Sequence, residues 1–197
     1  ILTRAHKSGS TLILVSGHFG NYDVVRAKLK KEKIAVDALY KPMQNKYFNR
    51  LYLEKISSIN EPLFPKDRKG MNEMMKFLKS GNCIAVLFDQ VMGKGEPLMF
   101  FGQPAYTATS VSKMAIKYDA LLIPFFSERL KDGVNFNLFF GEPISHEDPK
   151  KMTQCLNDLL EDRIRNNMDQ WLWTHRRWKV PPNINPKDYS TKRFLNR

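Results

Sequence analysis

With 197 residues, 42% of them hydrophobic, the chain is long enough to bury a core as one domain and too apolar for global disorder. Its net charge of +12 calls for an anionic partner: nucleic acid, an acidic protein, or a phosphate-bearing membrane surface. No run approaches the roughly 18 apolar residues that span a bilayer, the opening residues read as neither a signal nor a transit peptide, and Cys83 and Cys155 are spaced like reduced core residues, not a disulfide or zinc framework. Thr11 to Ser16 reads as an apolar strand, followed by a turn, Ser16-Gly17-His18-Phe19-Gly20-Asn21, and a helix from Tyr22 to about Lys33 with Asn21 as N-cap. Ile34 to Tyr40 alternates like a second strand. Lys46 to Ile56 and Gly70 to Lys79 read as helices, the second with Met71, Met74, Met75 and Leu78 as a core stripe. Cys83 to Phe88 is a third strand, followed by a long loop to Tyr106 and a helix from Thr109 to Tyr118. Leu121 to Arg129 and Val134 to Phe140 form a hairpin about Asp132-Gly133. Pro149 to Asn167 is an amphipathic helix, and the polar tail over residues 181–197 is expected to be loosely ordered beyond a single domain over residues 1–180. Strands alternating with helices, then a hairpin, predict an α/β fold with a mixed central sheet flanked by helices.

Chemistry concentrates at strand ends. His18 and Asp23 form a candidate acid/base dyad. On one straight helix a five-residue offset would set them about 140° apart, so they converge only if the glycine-bearing turn bends. Asp23 would then sit in the first helical turn, where a carboxylate is favoured, and hold one imidazole nitrogen protonated. Ligand sites in open α/β sheets gather beyond the carboxyl ends of strands. Gly17-His18, Lys41 and Asp89-Gln90 all follow predicted strands, so parallel strands would bring the three clusters to one rim. Basic residues cluster at Lys28 to Lys33, at Lys66-Arg68-Lys69 and at Arg176-Arg177-Lys179. The last cluster is interleaved with Trp171, Trp173 and Trp178, a composition suited to a membrane interface or to base stacking. No nucleic-acid-binding signature accompanies it.

Six segments together resemble the lipid A biosynthesis late acyltransferases. They are His18-Phe19-Gly20-Asn21-Tyr22-Asp23, Tyr40-Lys41-Pro42, Phe88-Asp89-Gln90, Phe100 to Ala105 with Thr107 and Thr109, Leu122 to Phe126, and Gln170 to Lys179. The resemblance implies a glycerol-phosphate-acyltransferase-like fold and transfer of a fatty acyl chain from acyl carrier protein to a hydroxyl of a lipid A precursor. The place implied is the cytoplasmic face of the Gram-negative inner membrane. It makes His18 the base and Asp23 its orienting acid, Lys41 or Arg68 the holder of the acceptor's phosphates, and Asp89 with Gln90 substrate-positioning groups. It implies no metal or redox cofactor, the acyl carrier protein thioester being a co-substrate, and no nucleic-acid partner. Asp23 stands where the family usually has Glu, and Lys41 where Arg is common, which keeps the charge without bidentate phosphate binding. The resemblance places the family's membrane-spanning segment in front of Thr3; the expectation is a chain without it, whose contact with the anionic bilayer is peripheral, through Trp-, Phe- and Lys/Arg-rich surfaces. A lysophospholipid or glycerol-phosphate acyltransferase, or an inactive homologue acting as a basic membrane-binding module, are the alternative readings.

Overall fold

A computed structural model describes residues 2–182; the predicted tail over 181–197 therefore falls almost wholly outside the described residues. The mixed α/β expectation holds. A four-stranded sheet has the order β4-β1-β7-β8, formed by β1 (Leu12–Ser16), β4 (Cys83–Leu87), β7 (Leu121–Arg129) and β8 (Phe136–Phe140). β1 runs parallel to both neighbours, with Leu14 opposite Ala85 on one side and Ile123 on the other, and β8 closes the edge antiparallel to β7. All five residues of β1 are buried. Leu12, Leu14, Ile123 and Phe125 pack on one face with Val25 and Leu29 of α2 (Asp23–Lys31). Ile13, Val15, Ile84 and Leu122 pack on the other with Met74 and Leu78 of α4 (Arg68–Lys79), Val111 and Ala115 of α5 (Ser110–Lys117), and Met152, Leu156 and Leu160 of α6 (Pro149–Asn166). Covering on both faces is why the central strand is a continuous apolar run and not an alternating one.

Several predicted elements change. The second strand shrinks to β2 (Ala38–Tyr40) and leaves the central sheet to pair in parallel with β3 (Leu63–Pro65), although Pro62 just before it and Pro65 at its end predict a loop. The isolated bridge from Val36 to Cys83 and the Ala85 N–H bond to Asp37 Oδ1 at 2.9 Å tie its approach to β4. The expected loop from Asp89 to Tyr106 is a hairpin, β5 (Val91–Phe100) with β6 (Gln103–Thr107). Its turn residues Phe101 and Gly102 both have positive φ, the geometry whose twist matches the flanking strands. A short α1 (Leu2–Lys7) precedes β1, and α3 (Lys46–Ile59) runs three residues further than predicted. Cys83 is a buried core thiol as expected, whereas Cys155 is exposed on α6.

Candidate active site

The turn after β1 is fixed by two close approaches. Gly20 has φ +55° and its N–H donates to the Gln170 carbonyl at 2.7 Å; a Cβ there would collide with the Ser127 carbonyl. At Gly17 a Cβ would meet Leu160 side-chain carbons at 2.6 and 2.8 Å and Asp89 Oδ2 at 3.0 Å. With hydrogen there instead, the chain comes close enough for the His18 N–H to donate to Asp89 Oδ2 at 2.8 Å.

The imidazole follows the backbone. His18 Nδ1 lies 2.6 Å from Asp89 Oδ1, and the Trp171 indole N–H donates to Asp89 Oδ2 at 2.9 Å. Asp89 is 2% exposed. Burial pushes its carboxyl up. The hydrogen bond and charge of His18, the Trp171 indole and the His18 N–H outweigh that push and hold it below the ordinary carboxylate value. A carboxylate on Nδ1 keeps the proton there and leaves Nε2 as the basic nitrogen. Nε2 lies 3.3 Å from Gln90 Nε2, an amide donor. The Tyr22 ring meets the imidazole edge-on at 5.7 Å, and burial, then the Asp23 charge, raise the Tyr22 hydroxyl.

Asp23 does not orient His18. Its carboxylate takes the Arg26 guanidinium at 2.9 Å, one turn along α2. Arg26 is itself buried and donates to the Asn60 carbonyl at 2.6 Å, while Asn60 Nδ2 returns a bond to the Arg26 carbonyl at 2.9 Å. The dyad's pairing is thus corrected from Asp23 to Asp89. The N-cap of α2 is Tyr22, not Asn21 as expected; Asn21 Oδ1, one residue earlier, accepts the Asp23 N–H at 3.2 Å, and the Asp23 side chain turns to Arg26 on the next turn of its own helix, not back toward the histidine.

Both acids still belong to one site. A cavity of about 290 Å³ is lined by His18, Tyr22, Asp23, Arg26, Lys41, Lys66 and Gln90 together with Leu39 and Val86. The three strand-end clusters therefore converge on one rim, although β2 lies outside the central sheet. Arg68 does not join them: it opens α4, exposed, and Lys66 lines the cavity in its place. In the sequence that lysine is one of three in the basic cluster Lys66-Arg68-Lys69, with nothing to single it out. A second cavity of about 240 Å³ shares Leu39, Lys66, Val86, Leu87 and Gln90 with the first, and extends it among Met71, Met74, Met92, Met114 and Val111. Met71 and Met74, expected only as core, thus also line a cavity. Among the described residues no group of three or more His, Cys, Asp or Glu side chains is placed to hold a metal ion.

The Trp/Arg segment near the end of the chain has an inward role. Trp171 is 5% exposed and carries the bond to Asp89, and Trp178 Nε1 donates to the Phe100 carbonyl at 3.1 Å. Arg177 is wholly buried, reaching Thr107 Oγ1 at 2.6 Å and stacking 5.1 Å from the Phe100 ring. His175 Nε2 accepts the Val91 N–H at 3.1 Å, and burial lowers its pKa, with Asp89 pulling the other way. Expected as a membrane or nucleic-acid surface, this segment clasps the base of the site; Trp173 alone of the three tryptophans is largely exposed.

A family model described as bacterial lipid A biosynthesis acyltransferase matches residues 1–180. The chain is 25% identical over 192 residues to the lipid A biosynthesis lauroyltransferase of Escherichia coli strain K12, covering 94% of this chain and 61% of that one. It is 26% identical over 151 residues to the lipid A biosynthesis acyltransferase of Haemophilus influenzae strain Rd, covering 73% of this chain and 48% of that one. It thus spans about half to three-fifths of the relatives' length. With the match running from the first strand through the clasp around Asp89, the chain belongs to the bacterial lipid A biosynthesis acyltransferase family.

Proposed function

We propose that the chain transfers a fatty acyl group from the thioester of acyl carrier protein to a hydroxyl of a lipid A precursor, at the cytoplasmic face of the inner membrane. The observation that carries this reading is the His18 imidazole, held at Nδ1 by buried Asp89, with Nε2 at a cavity that is cationic on one side and continues into a methionine-lined apolar one. A hydroxyl is a poor nucleophile at neutral pH. Nε2 takes its proton as the oxygen attacks the thioester carbonyl, and Asp89 stabilises the imidazolium that forms. The tetrahedral intermediate collapses with loss of the thiolate, which takes the proton back from Nε2; the ester is formed and the histidine is neutral again. Lys41 and Lys66 meet the acceptor's phosphates, and the methionine-lined cavity takes the acyl chain, since unbranched thioethers adapt to a flexible apolar ligand. The His18 and Gly20 N–H groups are already bonded to Asp89 and Gln170, so the turn does not offer them to the oxyanion. The Gln90 amide, 3.3 Å from His18 Nε2, is a candidate donor. The chemistry asks for no metal or redox cofactor.

The test is acyl transfer from acyl carrier protein thioester to a lipid A precursor in detergent or bilayers. His18→Ala should abolish turnover, and because it strips buried Asp89 of its Nδ1 donor it should also lower the unfolding midpoint; His18→Asn, whose amide can still donate to Asp89, should be as inactive while keeping more of that stability. Wild-type protein that never consumes the thioester under these conditions refutes the proposal. Transfer to a lysophospholipid or glycerol phosphate in place of the lipid A precursor reassigns the acceptor.

A further inference from the structure

Among the described residues, one side of the first turns of α3 and the loop leading into it are left largely uncovered. Tyr47, Phe48 and Leu51 are 77%, 54% and 51% exposed, and Met43 in the loop is 39% exposed. At about 100° per residue the three helical side chains share an arc of about 100°. Ile56, the buried residue of α3, lies about 180° round the helix from Tyr47, about 140° from Leu51 and about 80° from Phe48. The helix therefore has its ordinary core face and, in its first turns, a second apolar stripe facing outward.

This stripe is held rigidly. Asn45 Oδ1 accepts the Tyr47 and Phe48 N–H groups at 3.0 and 3.1 Å, and Asn49 Oδ1 accepts the Met43 N–H at 2.8 Å, pinning the loop to the helix. Its charge is one-sided. From Ala38 to Leu53 there is no acidic residue, while Lys41, Lys46 and Arg50 are all exposed. Glu54 marks the end of the stripe one turn beyond Leu51. The stripe also lies next to the chemistry, because Lys41, two residues before Met43, lines the His18 cavity.

We infer that the loop from Lys41 to Asn45 and the first turns of α3 dock on an anionic phospholipid bilayer, with Tyr47, Phe48 and Leu51 inserted at headgroup depth and Lys46 and Arg50 against lipid phosphates. Amphipathic aromatics flanked by cations partition to this zone. Side chains that stand half to three-quarters exposed, flanked by cations with no acid between Ala38 and Leu53, match the charge and depth of an anionic headgroup layer. Docking here would hold the cavity mouth at the bilayer surface, where a lipid acceptor is presented. The bilayer's relevance rests on the proposed function, and vesicle binding is measured apart from turnover so that the two can fail separately.

The experiment is co-sedimentation of the protein with vesicles of phosphatidylglycerol mixed into phosphatidylcholine, and with phosphatidylcholine alone. Wild type should prefer the anionic vesicles, with binding that falls as salt rises. A Tyr47→Ser/Phe48→Ser/Leu51→Ser variant should bind at least about tenfold more weakly, and Lys46→Gln and Arg50→Gln should each cost about fivefold. Val134→Ser, at an exposed apolar residue beside β8, should change nothing. All these positions are exposed, and matching unfolding midpoints confirm that the fold is kept. If the triple variant binds anionic vesicles as wild type does, or if wild type shows no preference for phosphatidylglycerol, the inference is overturned. It is equally overturned if the triple variant keeps vesicle binding and loses instead its affinity for acyl carrier protein.

Discussion

Two buried aspartates lie along the same strand and behave in opposite ways. Asp89, just past the end of β4, receives three donors within 3 Å and is held below its ordinary pKa. Asp37, just before β2, receives one: the Ala85 N–H from the middle of β4, at 2.9 Å to Oδ1. Its Oδ2 is buried without a partner, and burial raises the group to about 7 against the weaker pull of that bond and of the Arg26 charge. Both are 2% exposed or less. Burial therefore does not decide which acid is ionised; the number and charge of the donors do. Only the donor-rich carboxylate can serve as a standing counter-charge to an imidazolium, and it is the one that touches His18.

The strongest way to break this contrast is Asp89→Asn. The amide would keep the shape but offer an N–H to Nδ1, which moves the imidazole proton to Nε2 and removes the base. Acyl transfer should fall by about a thousandfold or more, with the apparent affinity for acceptor little changed. A loss of less than about tenfold would show that Asp89 only shapes the turn. Asp23→Asn supplies the contrast, since a dyad set by sequence spacing needs Asp23, and the observed geometry needs Asp89.

The second test turns on pH. The folded-state pKa of Asp37 lies above its unfolded value of 3.8. Between about pH 4 and 7 the unfolded chain has released this proton while the fold retains it, so the group makes the protein less stable as pH rises, an effect that levels off past 7. Asp89 acts in the other direction, since its lowered pKa contributes stability above pH 4 that is lost as pH falls. Asp37→Asn should remove the first slope. Relative to wild type, the variant should gain a few kcal/mol between pH 4 and pH 8, because each tenfold change in proton affinity is worth about 1.4 kcal/mol. Denaturant unfolding across that range reads the difference. Parallel stability curves for the two proteins would mean that Asp37 is ionised in the fold.

Local pattern carried much of this architecture. The apolar run of β1, the Asp132-Gly133 hairpin and the Thr109 and Pro149 helix starts were legible because each is set by neighbours a few residues away. The strand-end rule also placed His18, Lys41 and Gln90 around one cavity. The β5–β6 hairpin was not legible, since Gly93, Gly95, Pro97 and Pro104 interrupt its pattern, and its register shifts between Val91 and Glu96. The partner of His18 was hidden for a different reason: Asp89 is 71 residues away, and Asp23 only five. Sequence proximity favours the near acid, but only the parallel pairing of β1 with β4 brings the far one under the imidazole. The tryptophans were misplaced in the same way. Trp and Arg together describe a membrane surface and a buried clasp equally well, and only the bonds to Asp89 and Thr107 separate them.

That clasp provides the finest test of the contrast between the two acids. Trp171→Phe keeps an aromatic ring beside Phe100, whose centroid is 5.5 Å away, and deletes the N–H that Asp89 Oδ2 accepts together with part of the buried indole. Asp89 then has two donors, both from His18, and moves one step toward the condition of Asp37. Its pKa should rise, and the low-pH loss of stability should begin at a higher pH than in wild type. A hydrogen bond to a charged acceptor is worth about 1.5–3 kcal/mol, and most of that should appear as lost stability at neutral pH. Turnover should fall by only about tenfold, because the contact to Nδ1 survives and the imidazole keeps its tautomer. An acid limb that stays fixed while stability drops would assign Trp171 to packing alone, and would leave His18 by itself to account for the lowered pKa of Asp89.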